Sequence, residues 1–164
     1  MIQKKGFTLV ELLIVIALLG FLSVFGLSLF QGSQRRARDS RRKGDLKEIT
    51  KVLEMYANDA SVYPSASVTG EIIGCAGTIA LPVACTWGGS WINGVTYMQR
   101  LPKDPYGTSY CYEVDSNSKK WYKLYARLES TDDVDFDDSL VCGGVSGQYT
   151  YVLISPNITP TPTP

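Results

Sequence analysis

FTLVELLIVIALLGFLSVFGLSLF, residues 7–30, is an uninterrupted apolar run of 24 positions that carries one formal charge, Glu11. A bilayer's hydrocarbon core takes about 20 such residues as a helix. Lipid offers no water to a bare N–H or C=O, so the backbone has to satisfy itself, which selects a helix. The run is therefore expected to span a membrane. Glu11 is costly there, and an ionisable group inside such a span marks a functional site by default. The plainer alternative is that Glu11 lies at the interface, where it costs little.

Working outward, residues 35–43 read RRARDSRRK, six positive charges and one negative. Leu46, Ile49, Val52, Leu53 and Tyr56 then recur at helical spacing, with Lys47, Glu48, Lys51 and Glu54 between them. That pattern is an amphipathic helix in need of a core to lie on. The simplest reading is one helix from Phe7 to about Asp59, weakened by Gly20, Gly26, Gly32 and Gly44 at roughly 1 kcal/mol each relative to alanine. Tyr63-Pro64 ends it, because proline cannot continue a helix.

The residues before the run sharpen its meaning. Lys4-Lys5-Gly6-Phe7-Thr8-Leu9-Val10-Glu11-Leu12 resembles the class III signal of bacterial type IV prepilins and type II secretion pseudopilins. An ordinary secretory signal has a shorter apolar core with its cleavage site after it. The resemblance implies cleavage between Gly6 and Phe7 by a membrane aspartic peptidase, N-methylation of Phe7, and retention of the apolar helix as anchor and polymerisation element. It puts the family's glutamate, fifth in the mature chain, at Glu11. A buried charge needs a partner, and in the family that partner is the N-terminus of a neighbouring subunit. In filament relatives the membrane helix partly melts on assembly, and the Gly20–Gly26 stretch is where that would fall here. Two further segments carry a likeness to major pseudopilins: Val62-Tyr63-Pro64 is similar to their NGxYP segment, and Pro102-Lys103-Asp104-Pro105-Tyr106-Gly107 to their P-x-DPWG turn, with Tyr for Trp. Two prolines and a glycine make the latter a turn on first principles as well.

Orientation sets two rules against each other. Positive residues should flank the cytoplasmic end of a span, and six cations follow the run while only Lys4 and Lys5 precede it. The cysteines favour the C-terminal part outside, and the prepilin-like leader implies the same, because in that family a dedicated peptidase fixes the N-terminus inside. The cluster's own role is then a solvated helix face or a lipid headgroup contact. Six cations without interleaved aromatics support only non-specific nucleic-acid affinity.

Composition bounds the rest. The chain has 164 residues and balanced charge, 16 basic against 16 acidic, and no histidine. That removes histidine-based triads and histidine metal sites, and no spacing sets another nucleophile beside a base. Cys75, Cys85, Cys111 and Cys142 all follow the apolar run, and an even count in an extracytoplasmic domain reads as two disulfides. Four cysteines allow three pairings. Cys75 and Cys85 share one loop, while Cys111 opens a strand and Cys142 precedes another, so 75–85 and 111–142 are expected. Residues 65–95, rich in Gly, Ser, Thr and Ala, read as a loop region. Residues 109–115, 120–129 and 148–154 read as three short antiparallel strands, with 116–119 as a hairpin loop.

Ser130–Ser139, STDDVDFDDS, holds five aspartates. Hard cations take several carboxylate oxygens, and major pseudopilins carry calcium in the corresponding loop, which makes Asp132, Asp133, Asp135 and Asp137 calcium candidates. Their usual SxGxDG is replaced here by Arg127-Leu128-Glu129-Ser130-Thr131, and neither a glycine turn nor enough neutral donors accompany the carboxylates. No cofactor and no tight calcium site are expected. A plain acidic loop, or contact with a neighbouring subunit's basic helix face, are the alternatives. The closing SPNITPTPTP cannot form a ladder and reads as an extended tail, open to glycosylation.

The expected fold is α+β: a long N-terminal helix, membrane half plus amphipathic half, packed on a small antiparallel sheet in a pilin-like layout. The parts are a leader (1–6), an apolar helix (7–30), a globular head (31–155) and a tail (156–164). The expected function is a structural, homo-oligomeric filament subunit of a type IV pilus or a secretion pseudopilus. It is held in the cytoplasmic membrane with its head outside, and handled by prepilin peptidase and assembly machinery. The disulfides and the doubtful calcium loop favour a pilus; the YP and DPYG segments favour a pseudopilus. A minor pilin acting as adhesin or DNA-capture subunit, and a membrane-anchored enzyme, are the other classes.

Overall fold

In the computed structural model the described residues are 6–75, 83–146 and 148–157, with the side chains of 24–29, 145 and 146 also outside the description. Helix α1 runs Leu9–Ala60. The chain divides into two compact units, Met1–Ala37 and Arg38–Pro164.

Over residues 12–22 of the first unit α1 is apolar on every side. Leu9, Val10, Leu12, Leu13, Ile14, Ile16, Leu18, Leu19, Phe21 and Leu22 are all more than half exposed. A helix of this kind is stable when something apolar surrounds it. Among the described residues no helix is long and apolar enough to cross a membrane. Residues 24–29 of the apolar run, Gly26 among them, lie outside that statement.

In the second unit the periodicity of α1 is realised as read. Leu46, Ile49, Val52 and Leu53 are buried and Tyr56 packs at the edge, while Lys47, Glu48 and Lys51 face solvent. The helix ends at Ala60, after which Ser61 takes a left-handed φ of 63°. Such a residue turns the chain off the helix axis. The carbonyl of Ser61 accepts a hydrogen bond from Lys120 Nζ at 2.7 Å.

Among the described residues ten short strands follow: β1 (Ser65–Ala66), β2 (Ile72–Cys75), β3 (Val83–Ala84), β4 (Trp91–Asn93), β5 (Val95–Met98), β6 (Cys111–Val114), β7 (Tyr122–Ala126), β8 (Val141–Cys142), β9 (Val145–Ser146) and β10 (Tyr151–Ile154). The central sheet has the order β10-β7-β6, antiparallel throughout, with Tyr112 opposite Leu124 and Val152 opposite Tyr125. Alternation splits its side chains between two faces. Tyr112, Tyr122, Leu124 and Ala126 join the α1 residues in the main core, with Trp91 and Leu101. Cys111 and Tyr125 form a small second core with Cys142 and Tyr149 on the other face.

Residues 65–95 depart from the loop reading. β1, β2 and β3 form a second antiparallel sheet, and β4 and β5 a hairpin through Gly94 at φ 71°. These strands are only two to four residues long, so although β-branched and aromatic residues are common in them, no alternating pattern is long enough to announce them. The β8–β9 hairpin between the acidic loop and β10 is a further departure from the three-strand reading. Residues 76–82 of the loop region and 158–164 of the tail lie outside the described residues.

Candidate functional site

At the N-terminus, Thr8 and Glu11 close a reciprocal cap. Thr8 N–H and Oγ1–H both donate to Glu11 Oε2, at 3.0 and 2.9 Å, and Glu11 N–H donates to Thr8 Oγ1 at 3.3 Å. A helix start leaves several N–H groups without intrahelical partners, and a threonine with a glutamate three residues on satisfies two of them. Gly6 and Phe7 precede the cap and are exposed, Phe7 at 78%. Of the residues assigned to processing and assembly, the structure brings Glu11 to Thr8. Phe7 is exposed.

The head carries a charged node that the sequence did not announce. Arg42 is 2% exposed. Its Nε and Nη2 donate to the two oxygens of Asp104, at 2.6 and 3.2 Å. Its Nη1 donates to Asp39 Oδ1 at 2.7 Å and to Glu129 Oε1 at 2.8 Å. Arg38 completes a fork on Glu129, Nε to Oε1 at 2.8 Å and Nη2 to Oε2 at 2.5 Å. Asp39 also accepts the backbone N–H groups of Glu129 and Ser130, both at 2.9 Å, and Asp104 that of Tyr106 at 2.7 Å. The node thus ties α1 to the Pro102–Gly107 turn and to the end of β7. A buried charge without its partner is severely costly, and here each buried carboxylate has several donors. Burial opposes the charge of Arg42, but its hydrogen bonds to Asp104, Glu129 and Asp39 outweigh it and hold the group above its ordinary value. Glu129 is held down at about 2, first by its hydrogen bonds from Arg38 and then, against some burial, by Arg42.

Half of the basic cluster is therefore spent inside the head. Arg38, Arg42 and Lys43 have carboxylate partners, while Arg35, Arg36 and Arg41 are exposed and keep the solvated-face reading. Three acids of the helix, Asp45, Glu54 and Asp59, are matched by tyrosines. Tyr110 donates to Asp45 at 2.7 Å, Tyr63 and Tyr122 to Glu54 at 2.9 and 3.2 Å, and Tyr97 to Asp59 at 3.0 Å. The Tyr63-Pro64 segment thus seats a buried ring against Tyr122, centroids 4.7 Å apart, with its hydroxyl on the helix.

The acidic loop separates its carboxylates. Lys43 Nζ donates to Asp133 Oδ1 at 2.6 Å and to Asp135 Oδ2 at 2.7 Å. Asp137 turns back on Ser139, accepting from its N–H at 2.9 Å and its hydroxyl at 2.6 Å. Asp132 is exposed. Among the described residues no three acidic, Cys or His side chains converge closely enough to hold a metal. Calcium asks for six to eight oxygens, and an ammonium is already bonded to both Asp133 and Asp135. The residues present do not fit a calcium ion. The basic helix face that meets this loop belongs to the same chain, through Lys43.

Both disulfides are present as Cys75–Cys85 and Cys111–Cys142. The second joins β6 to β8 within the small core. Gly70 lies against it: its φ is 79°, and a Cβ there would sit 2.1 Å from Cys111 Sγ. No side chain fits, so glycine is required on both counts.

The apolar helix with its N-terminal cap, joined to a small disulfide-bonded sheet domain, defines a class. Residues 1–27 match the prokaryotic N-terminal methylation motif. Residues 30–128 match the family described as type II secretion system (T2SS), protein G. The chain is 32% identical over 124 residues to the type II secretion system core protein G of Pseudomonas aeruginosa, which covers 76% of this chain and 82% of that one. It is 33% identical over 110 residues to the protein of the same name from Vibrio cholerae, covering 67% and 70%. It is 30% identical over 108 residues to that of Escherichia coli, covering 66% and 70%. No solved structure matches. The chain belongs to the type II secretion system protein G family.

Proposed function

We propose that this chain is a structural subunit that polymerises into a secretion pseudopilus. It is held in the cytoplasmic membrane by residues 7–30 with its head outside, and matured by cleavage between Gly6 and Phe7 and methylation at Phe7. The observation that carries the reading is the first unit itself: an apolar helix exposed all round, with one carboxylate at its start. Such a surface needs lipid before assembly and other helices after it. Family membership favours a pseudopilus over a surface pilus. It likewise favours a structural role over catalysis, with the prepilin peptidase and the secretion machinery as partners and no specific nucleic acid.

Glu11 is the assembly residue in this reading. Thr8 fixes its carboxylate at the helix start, where the α-ammonium of a processed neighbour can reach it. A carboxylate left unpaired in lipid costs several kcal/mol, so docking a neighbour's Phe7 there relieves that cost. Glu11→Ala should leave insertion and cleavage intact, since both precede assembly, and should abolish or shorten filaments. Sheared filaments viewed by electron microscopy, with a membrane blot for processed protein, decide it. Normal filaments from Glu11→Ala would remove the assembly role.

A further inference from the structure

Five aspartates in ten residues repel one another unless a cation sits among them. The structure already supplies one, on a neighbouring element of the same chain. Lys43 leaves α1 one position after the buried Arg42, and its ammonium is shared between Asp133 and Asp135 at 2.6 and 2.7 Å. It also lies 5.2 Å from the centroid of the Tyr151 ring on β10. The Lys43 and Asp133 side chains are each 21% exposed, so this is a half-covered pair rather than a freely solvated one. The loop is built around that position. Asp135 N–H donates to Asp133 Oδ1 at 3.0 Å, Phe136 N–H to the Asp133 carbonyl at 3.1 Å, and Asp137 N–H to the Thr150 carbonyl at 2.8 Å.

We infer that Lys43 is the resident cation of the 130–139 loop, a covalently carried ammonium that orders the loop in place of a divalent ion and makes the head's fold independent of free calcium. A calcium ion entering between Asp133 and Asp135 would have to expel a tethered ammonium. In return it would gain two carboxylates, far fewer oxygens than it coordinates. The ammonium needs only three acceptors and has two charged ones and an aromatic face. The inference concerns the head alone and stands or falls separately from the assembly reading.

The test uses the full chain in detergent. Thermal melting of the wild type is compared in excess EDTA and in millimolar calcium, with magnesium as control, and amide hydrogen exchange is followed over residues 131–138. The wild type should melt at one temperature in all three. Lys43→Gln should melt lower and exchange its loop amides about five-fold faster, while Lys43→Arg keeps most of the protection. A wild type stabilised by calcium and not by magnesium overturns the inference. So does a Lys43→Gln chain whose loop exchanges at the wild-type rate. If Lys43→Gln fails to fold, the calcium comparison on the wild type still decides.

Discussion

Arg42 grips Asp104 through two contacts of 2.6 and 3.2 Å across 62 positions of sequence, with both side chains excluded from water. This pair joins the helix to the Pro102–Gly107 turn, and its removal is expected to be among the most damaging single changes in the head. Arg42→Met leaves Asp39, Asp104 and Glu129 without their shared cation and should cost about 3–5 kcal/mol. Asp104→Asn should cost less, because Arg42 keeps Asp39 and Glu129. Denaturation midpoints of the two variants in detergent, ranked against wild type, check the order; an Arg42→Met chain as stable as wild type contradicts it.

Stability should fall at both ends of the pH scale. Glu129 is held at about 2, chiefly by Arg38, and Asp133 is lowered by Lys43. A depressed folded value means that the stabilisation is complete above the unfolded value near 4.3 and is lost as pH drops towards 2. Asp45 works against this, since burial raises it. Tyr63 is pushed up to about 12 by burial and Glu54, and burial raises Tyr110, Tyr112, Tyr122 and Tyr125 further. For these the stabilisation is complete below the unfolded value near 10 and is lost above it. The phenolate absorbance of the buried tyrosines should appear only as the circular dichroism is lost at high pH. Full phenolate signal from a still-folded head contradicts the tyrosine burial.

Gly70→Ala forces a side chain into Cys111 Sγ at a left-handed φ. Left-handed backbone and overpacking together should lower stability by about 2–4 kcal/mol. Non-reducing peptide mapping should show a smaller fraction of the 111–142 bridge. Wild-type stability and full pairing would mean that the loop shifts freely.

Gly6→Asp should leave a precursor that still begins at Met1, whereas the wild type is expected to begin at N-methylated Phe7. Intact mass distinguishes these, and a wild-type chain starting at Met1 or after residue 30 sinks the processing scheme.

Some of this was legible in the sequence for a physical reason. Leu46, Ile49, Val52 and Leu53 repeat with the helix's own period, and Tyr122, Leu124 and Ala126 with the strand's, so neighbours along the chain declare one shared face. The likeness of Lys4–Leu12 to a known signal is equally local. The Arg42 node was not legible, because its partners Asp104 and Glu129 lie 62 and 87 positions away. A run of arginines with distant partners reads the same as one facing water. The partner of the acidic loop was hidden in the same way. Its composition is compatible with a plain solvated loop, a divalent ion or a second subunit, and none of these points to Lys43, 90 positions earlier than Asp133.

The Cys111–Cys142 bridge encloses the whole exposed loop, including Val134, which is 97% exposed. An exposed tip of this kind is where proteases cut. A single cut between Asp132 and Ser139 would leave both pieces covalently joined, with β10 still paired to β7. The nicked subunit would run as one band without reductant and as two with it. A filament could accumulate such scars while keeping every subunit in place.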